Sequence, residues 1–186
     1  MPLLEAGYGF LPVTACDSAI LSPFDCGKPN LNEFLINTAA DWHRQHFSFT
    51  NVVFHSDYAG PIAYFTLCND QIQLNASEYS ALGANSEKQL THLPAVKIGR
   101  LAVIEPLQRS GVGREVMKLI RGEILIASAV SAARLIVVDA DNTPNVISFY
   151  ERDGFERSLW AEKQARHQGG KKPPATVKML RDILVV

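Results

Sequence analysis

The sequence has few cysteines, no long apolar run and almost no net charge, and each absence excludes a class of protein. Its three cysteines, Cys16, Cys26 and Cys68, are an odd number at irregular spacing, which argues against a disulfide framework. No run approaches the roughly 20 apolar residues that span a bilayer. The first residues also lack the basic and apolar regions of a secretory signal. We therefore expect a cytoplasmic protein with no membrane partner.

The charge of the chain is small in total but unevenly divided. Of the 186 residues, 47% are hydrophobic and 20% are charged, which suits a single soluble domain over residues 1–186. The formal net charge is −1, yet residues 1–96 hold 3 Lys/Arg and 9 Asp/Glu, whereas residues 97–186 hold 15 and 10. This division is compatible with an anionic ligand on the second half, and equally with a chance distribution over a solvated surface.

Apolar periodicity and turn residues predict alternating strands and helices. Strands are predicted over residues 9–15, 51–55, 62–67, 96–104, 135–139, 155–160 and 175–180, and helices over residues 30–45, 111–131 and 144–153. Residues 69–94 and 162–174 are mostly polar, with a short helix near Tyr79 as the exception. A hairpin-rich first half joined to a β-α-β-α-β second half predicts an α/β (α+β) fold, a mixed central sheet with flanking helices.

The segment QRSGVGR, residues 108–114, lies between a predicted strand and a predicted helix. A helix N-terminus presents backbone N–H groups without partners, and its dipole favours an anion. Gly111 and Gly113 have no side chain to keep a phosphate away, and Arg109 and Arg114 add positive charge at the rim. The spacing matches neither GxGxxG nor a P-loop. By itself the pattern indicates either a phosphate-binding loop or a tight turn.

Two longer segments make the pattern more specific. GRLAV at residues 99–103, followed by QRSGVGR, resembles the acetyl-CoA motif Q/R-x-x-G-x-G/A of the GNAT acetyltransferase superfamily. Residues 142–155, NTPNVISFYERDGF, resemble the second block of that superfamily, in which an Asn precedes a helix ending in Y-x-x-x-G-F. Both blocks stand in the expected order and separation. The resemblance implies a GNAT fold that binds acetyl-CoA as a cosubstrate and transfers its acetyl group to an amine.

The resemblance also implies where acetyl-CoA binds. Two neighbouring parallel strands, residues 96–104 and 135–139, are expected to splay apart and hold the pantetheine arm. The residues implied in binding are Leu101, Ala102 and Val103 for the pantetheine; Arg109, Ser110, Gly111, Val112, Gly113 and Arg114 for the pyrophosphate; and Asn142 and Asn145 for the pantetheine or adenine side. Asn142 stands eight residues before Tyr150, whereas many relatives have seven.

Tyr150 is the candidate catalytic residue. When an amine attacks the thioester, the tetrahedral intermediate expels a thiolate, and a tyrosine hydroxyl aimed at the sulfur can hydrogen-bond to it or protonate it. In GNAT enzymes the tyrosine of the matching block often has that role. The alternative is a helix tyrosine that only packs its ring into the core. No acidic residue is singled out as general base among Glu78, Glu105 and Asp139, and no metal site is expected at His43 and His46.

The opening of the chain narrows the resemblance further. FDCGKPNLNEFL at residues 24–35 resembles the F-x-C-G-x-x-x-L-N-x-F-L opening of toxin-type GNAT enzymes. These enzymes acetylate the α-amine of aminoacyl-tRNA, are neutralised by a ribbon-helix-helix antitoxin, and have relatives that are frequently homodimers. The opening could instead shape the first helix and strand in enzymes that act on small-molecule or protein amines, or in a non-catalytic acetyl-CoA-binding module.

The charge of the chain weighs against a large tRNA-binding surface, because phosphate contacts dominate affinity for nucleic acid and the pI is about 6.5. A local basic patch remains, and it could equally be a solvated loop. Its residues are Lys163, Arg166, His167, Lys171 and Lys172. The sequence therefore supports the reaction type better than the acceptor.

Overall fold

The computed structural model describes residues 3, 6–83, 90–127, 132–167 and 173–185, which form strands alternating with helices. The strands are β1 (Tyr8–Pro12), β2 (Phe49–His55), β3 (Tyr58–Ile72), β4 (Leu93–Val103), β5 (Leu135–Asp141), β6 (Glu156–Arg157) and β7 (Thr176–Asp182). The helices are α1 (Ser18–Leu21), α2 (Pro29–Glu33), α3 (Ala39–Arg44), α4 (Ala76–Ala81), α5 (Val112–Ala127), α6 (Pro144–Arg152) and α7 (Leu159–His167).

The seven strands form a sheet in the order β1-β2-β3-β4-β5-β7-β6. The pairings of β1 with β2, β2 with β3, β5 with β7 and β6 with β7 are antiparallel. Strands β4 and β5, between which the sequence places the pantetheine, are neighbours in this order. The predicted α/β sheet with flanking helices is confirmed, while the splaying of β4 from β5 stays a prediction.

The chain groups into two compact units, so the single domain expected from the length stays a prediction. One unit holds Met1–Cys68 and Ile98–Ile124, and the other holds Asn69–Lys97 and Leu125–Val186. In the described parts of the chain, no helix is both long enough and apolar enough to cross a membrane.

The first unit is built on the β2–β3 hairpin and helix α5. β-Branched and aromatic residues that favour strands are fully buried there, among them Val52, Ile62 and Phe65. Helix α5 buries one face because its apolar residues recur at helical spacing. The buried residues of that face are Val112, Val116, Met117, Ile120 and Ile124.

The second unit has a core of its own between β4, β5 and helix α4. Its buried members are Ile72, Tyr79, Leu93, Ala95, Leu135 and Val137. Helix α4, predicted near Tyr79, begins with a capping box in which Asn75 and Glu78 satisfy each other's backbone N–H groups.

Four predicted elements differ from the structure. The helix expected over residues 30–45 is divided into α2, a π-helical turn at Phe34–Thr38 and α3. The first strand ends at Pro12 and continues as a 3₁₀ turn, Val13–Ala15.

β3 extends to Ile72 where polar, non-strand structure was expected. The strand expected over residues 155–160 has only two residues and is followed by α7. The predicted end of α5 at residues 128–131, and Lys171 and Lys172 of the basic patch, lie outside the described residues.

Candidate active site

The loop between β4 and α5 has the backbone that the sequence motif requires. After a 3₁₀ turn at Glu105–Leu107 the chain turns sharply, with Arg109 at φ 61° and Gly111 at φ 101°. The second value lies in the region where only glycine is unstrained. A Cβ built on Gly111 would meet no atom within 4 Å. Gly111 therefore serves the turn and also leaves an open approach to the helix that follows.

The N-terminus of α5 presents free backbone donors to that approach. The amides of Arg114 and Glu115 donate to the carbonyl of Gly111 at 2.9 and 3.3 Å. Within the described part of the chain, no residue accepts a hydrogen bond from the amides of Val112 and Gly113. Unpaired N–H groups at the positive end of a 16-residue helix fit an anion such as a pyrophosphate. Arg109 and Arg114 are exposed beside them.

Hydrogen bonds from two side chains of this loop to backbone carbonyls hold it in place. Gln108 Nε2 donates to the carbonyl oxygens of Cys26 and Val103, at 2.9 and 3.0 Å. Ser110 Oγ donates to the carbonyl of Leu107 at 2.7 Å. The predicted binding residue Ser110 therefore uses its hydroxyl within the turn. Gln108 was part of the motif but not among the predicted binding residues, because nothing local in the sequence indicates its contact with Cys26.

The segment FDCGKPNLNEFL at residues 24–35, the N-terminal motif, is held by hydrogen bonds among its own polar groups. The Asp25 carboxylate accepts from the amide of Gly27 and from Nδ2 of Asn32, at 2.8 and 2.7 Å, and these hydrogen bonds lower the pKa of Asp25. Asn32 Oδ1 in turn accepts from the amide of Cys26 at 3.0 Å. The amide of Glu105 donates to the carbonyl of Asp25 at 2.9 Å. The motif thus shapes the start of the chain and also contacts the segment that leads into the loop between β4 and α5.

The end of β4 carries the residues predicted to meet the pantetheine. Ala102 is buried, whereas Leu101 and Val103 are half-buried. Their binding role stays a prediction.

In the second unit, Tyr150 lies on α6 with its ring buried between other rings. Phe149 and Phe155 contact it edge-on, with ring centroids 5.0 and 5.3 Å away. Burial raises the pKa of the Tyr150 phenol, and the nearby carboxylates Asp141 and Asp153 raise it further. No described residue hydrogen-bonds its hydroxyl. Tyr150 is thus a protonated donor with no hydrogen-bond partner among the described residues.

The two predicted asparagines differ in their surroundings. Asn142 Nδ2 donates to the carbonyl of Pro174 at 2.8 Å, and its amide donates to the carbonyl of Ala175 at 2.9 Å. Its side chain is therefore engaged in holding the segment before β7. Asn145 is exposed on the first turn of α6. Their contacts with the cofactor stay predictions.

Two of the three acidic residues considered as bases have structural partners. Glu78 accepts from the amides of Asn75, Leu159 and Trp160. Asp139 is paired with Lys97 at 2.5 Å and with Lys178 at 3.3 Å. Burial alone would raise the pKa of Asp139, but the hydrogen bond from Lys97 and the charge of Lys178 lower it overall. Glu105, the third candidate, is exposed.

His43 lies in α3, whereas His46 lies just beyond its end. Nδ1 of His43 accepts a hydrogen bond from the amide of Thr50 at 3.2 Å, and its ring contacts Phe49 edge-on. Across the residues that the structure describes, no group of three or more His, Cys, Asp or Glu side chains could hold a metal ion.

Solved structures of bacterial toxins share this architecture, although no protein-family model matches the chain. A structure described as a bacterial toxin matches with a TM-score of 0.73 at 18% identity, covering 98% of this chain and 92% of that one. AtaT complexed with acetyl-methionyl-tRNAfMet matches with a TM-score of 0.70 at 21% identity, covering 91% and 93%. A tyrosine-to-phenylalanine mutant of KacT matches with a TM-score of 0.69 at 18% identity, covering 92% and 94%. The chain therefore has the GNAT fold of these toxins, as its sequence predicted.

Proposed function

We propose that this protein is an N-acetyltransferase that transfers the acetyl group of acetyl-CoA to a primary amine. The loop at Gly111 carries the proposal, because its open backbone and the unpaired amides of Val112 and Gly113 suit a pyrophosphate. The fold supports it as well. A structure described as AtaTR bound with AcCoA matches the chain with a TM-score of 0.67 at 21% identity.

The proposed reaction needs one donor at the leaving group. A neutral amine attacks the thioester carbon, a C–N bond forms, and the carbonyl electron pair moves onto oxygen. A backbone N–H near Leu101–Val103 stabilises this oxyanion. When the C=O bond re-forms, the C–S bond breaks and its electron pair leaves on sulfur as a thiolate. The amine proton passes to water.

Tyr150 acts on the thiolate in this scheme. Its raised pKa keeps the phenol protonated, so its hydroxyl can donate a hydrogen bond to the sulfur. A thiol has a pKa of about 8.5 and a phenol about 10. Because burial increases that difference, stabilisation of the thiolate by a hydrogen bond is favoured over complete proton transfer from Tyr150.

The acceptor that we propose is the α-amine of an aminoacyl-tRNA, with the protein acting as a toxin. The toxin-type opening at residues 24–35 supports this acceptor, and so does the fold shared with AtaT, which was solved with acetyl-methionyl-tRNAfMet. AtaT has also been solved bound to the C-terminus of the antitoxin AtaR. We accordingly propose an antitoxin partner of the ribbon-helix-helix type, together with a cytoplasmic homodimer.

Mass spectrometry of tRNA after incubation with the protein and acetyl-CoA tests the acceptor. We expect N-acetylated aminoacyl-tRNA only when acetyl-CoA is present. A parallel assay of coenzyme A release with polyamines, aminoglycosides and peptides tests the other amines. Activity confined to that panel would replace the tRNA acceptor. Thermal protection by acetyl-CoA without release of coenzyme A toward any amine would identify a non-catalytic binding module.

A further inference from the structure

The guanidinium of Arg100, in the first unit, packs against the rings of Phe34 and Trp42. Its guanidinium carbon lies 3.6 Å from the ring centroid of Phe34 and 5.3 Å from that of Trp42. The two rings meet edge-on, with an interplanar angle of 82°. Phe34 is itself stacked on Tyr64, whose hydroxyl donates to the carbonyl of Leu31 at 2.8 Å. The arginine is therefore held on a platform that is fixed by packing and a hydrogen bond.

The guanidinium has no anionic partner in the described chain. Arg100 is half-buried, yet no described carboxylate or carbonyl pairs with it. The carboxylate of Asp41, next to Trp42 in sequence, is paired with Arg44 at 2.8 Å. Arginines removed from water are usually paired, because desolvating an unpaired charge is costly. Stacking uses the face of a guanidinium and leaves the N–H groups at its edge for a planar or tetrahedral oxyanion.

A buried threonine lies against Gly99, the residue that precedes Arg100 in β4. Thr66 Oγ1 lies 2.9 Å from where a Cβ on Gly99 would stand, so this position accepts no side chain without displacing the hydroxyl. Thr66 and its register partner Thr50 are fully buried, and neither hydroxyl has a hydrogen-bond partner in the described structure. Arg100 follows Gly99 directly in β4 and stands immediately before the Leu101–Val103 segment.

We propose that Arg100 binds a phosphate group of the acceptor. This inference rests on the proposed function, since an amine acceptor must approach the acetyl group near Leu101–Val103. An aminoacyl-tRNA has its amino-acid carboxyl group esterified, so phosphates are the anions near its reactive end. A stacked arginine fork suits a phosphate better than a mobile lysine does. Arg100 is then a substrate-binding residue, with Phe34 and Trp42 as its positioning residues.

Steady-state kinetics with two acceptors test the role of Arg100 in turnover. Aminoacyl-tRNA carries phosphates, whereas 3′-aminoacyl-adenosine carries the same α-amine without any. Arg100→Gln is expected to raise KM for aminoacyl-tRNA about 10- to 100-fold, the range for a lost charge-assisted hydrogen bond, and to leave kcat/KM for the adenosine compound within about twofold. Arg100→Lys should recover part of the loss. An equal loss on both acceptors would overturn the proposal.

Equilibrium binding separates this inference from the acetylation itself. Wild type should bind the trinucleotide CCA, which has internal phosphates, more tightly than adenosine, and Arg100→Gln should remove most of that preference. Arg44→Gln is the matched control, because it deletes an exposed arginine of α3 that is already paired with Asp41. Affinities for CCA that do not differ between wild type and Arg100→Gln would overturn the phosphate site. Absence of tRNA acetylation would overturn the proposed function instead.

Discussion

The side-chain amide of Gln108 joins the N-terminal motif to the end of β4, since its Nε2 donates to both Cys26 and Val103. These two carbonyls are distant in sequence, and Gln108 stands at the start of the loop between β4 and α5. The toxin-type opening therefore contributes to the proposed acetyl-CoA site by supporting its loop. This role differs from direct recognition of an acceptor, and it can be measured.

Gln108→Glu is expected to weaken acetyl-CoA binding about three- to tenfold. The substitution keeps the shape of the side chain but replaces an N–H donor with a carboxylate oxygen that faces two carbonyls. A hydrogen bond of this kind contributes about 0.5–1.5 kcal/mol. Isothermal titration calorimetry gives the affinity, and thermal melts show whether the fold persists. Gln108→Ala should have a smaller effect, because it removes the donor without adding a charge. Unchanged affinity in both variants would show that the loop holds its shape without Gln108.

Gly111→Glu is expected to abolish acetyl-CoA binding, because it places an anion where the pyrophosphate is proposed to lie. The positive φ of 101° also adds strain of about 1–3 kcal/mol. Gly60→Glu is the matched control, since Gly60 has a φ of 87° with open space around it and lies in the β2–β3 hairpin. Both variants should melt at lower temperature, but only Gly111→Glu should lose binding in calorimetry. Normal affinity in a folded Gly111→Glu protein would remove this loop from the cofactor site.

The sequence predicted the elements whose signals are local. The β2–β3 hairpin, α5, β5 and α6 follow from β-branched runs, from an amphipathic period and from Pro144 and Gly154 at the ends of a helix. The loop at Gly111 could also be predicted from the sequence, because a glycine at this point indicates a backbone with positive φ.

Helix α7 was missed because its N-terminus depends on a residue far away in the chain. The carboxylate of Glu78 accepts from the amides of Leu159 and Trp160, 81 and 82 positions along the chain. Ser158 Oγ accepts from the amide of Ala161 as well. The sequence alone does not reveal the contact with Glu78, and without it the pattern of apolar residues after Phe155 is typical of the end of a strand. The π-helical turn at Phe34–Thr38 was missed for a related reason: its apolar spacing is close to that of an ordinary helix.

Asp182→Asn is expected to destabilise the protein by about 1–3 kcal/mol at neutral pH. Asp182 accepts from both Nε and a terminal nitrogen of Arg134, at 2.8 and 2.7 Å. Although burial alone would raise the pKa of Asp182, the hydrogen bonds from Arg134 and the Leu184 amide lower it overall. A carboxyl group whose pKa is lowered by folding stabilises the folded state at pH values above its ordinary, unfolded-state pKa. This stabilisation is lost as the pH falls through the lower pKa of the folded state.

The difference in the free energy of unfolding between wild type and Asp182→Asn should accordingly narrow as the pH falls below about 4. Urea denaturation at a series of pH values measures it. Asp41→Asn is the control, because the Asp41–Arg44 pair is mostly exposed and should contribute little. A pH-independent difference would mean that packing, rather than the charge of Asp182, stabilises this end of β7.

Tyr150→Phe is expected to lower kcat by roughly 10²–10³-fold, the range for loss of one hydrogen-bond donor to a charge that develops in the transition state. Acetyl-CoA affinity should change little, because the buried ring and its contacts with Phe149 and Phe155 remain. Since no described residue hydrogen-bonds the hydroxyl, its removal should also leave the melting temperature nearly unchanged. Coenzyme A release, followed with a thiol-trapping reagent, gives kcat, and calorimetry gives the affinity.

The pH profile distinguishes action of Tyr150 on the leaving thiolate from action on the acceptor amine. Because burial raises the pKa of Tyr150, wild-type turnover should not decline through ionisation of this phenol up to about pH 10. Turnover of wild type should rise with pH as the acceptor amine loses its proton, and the Phe variant should follow the same rise at a lower level. The parallel profiles would mean that Tyr150 acts on the leaving thiolate and not on the amine. Equal kcat in wild type and Tyr150→Phe would refute the catalytic assignment and leave the tyrosine as a packing residue of α6.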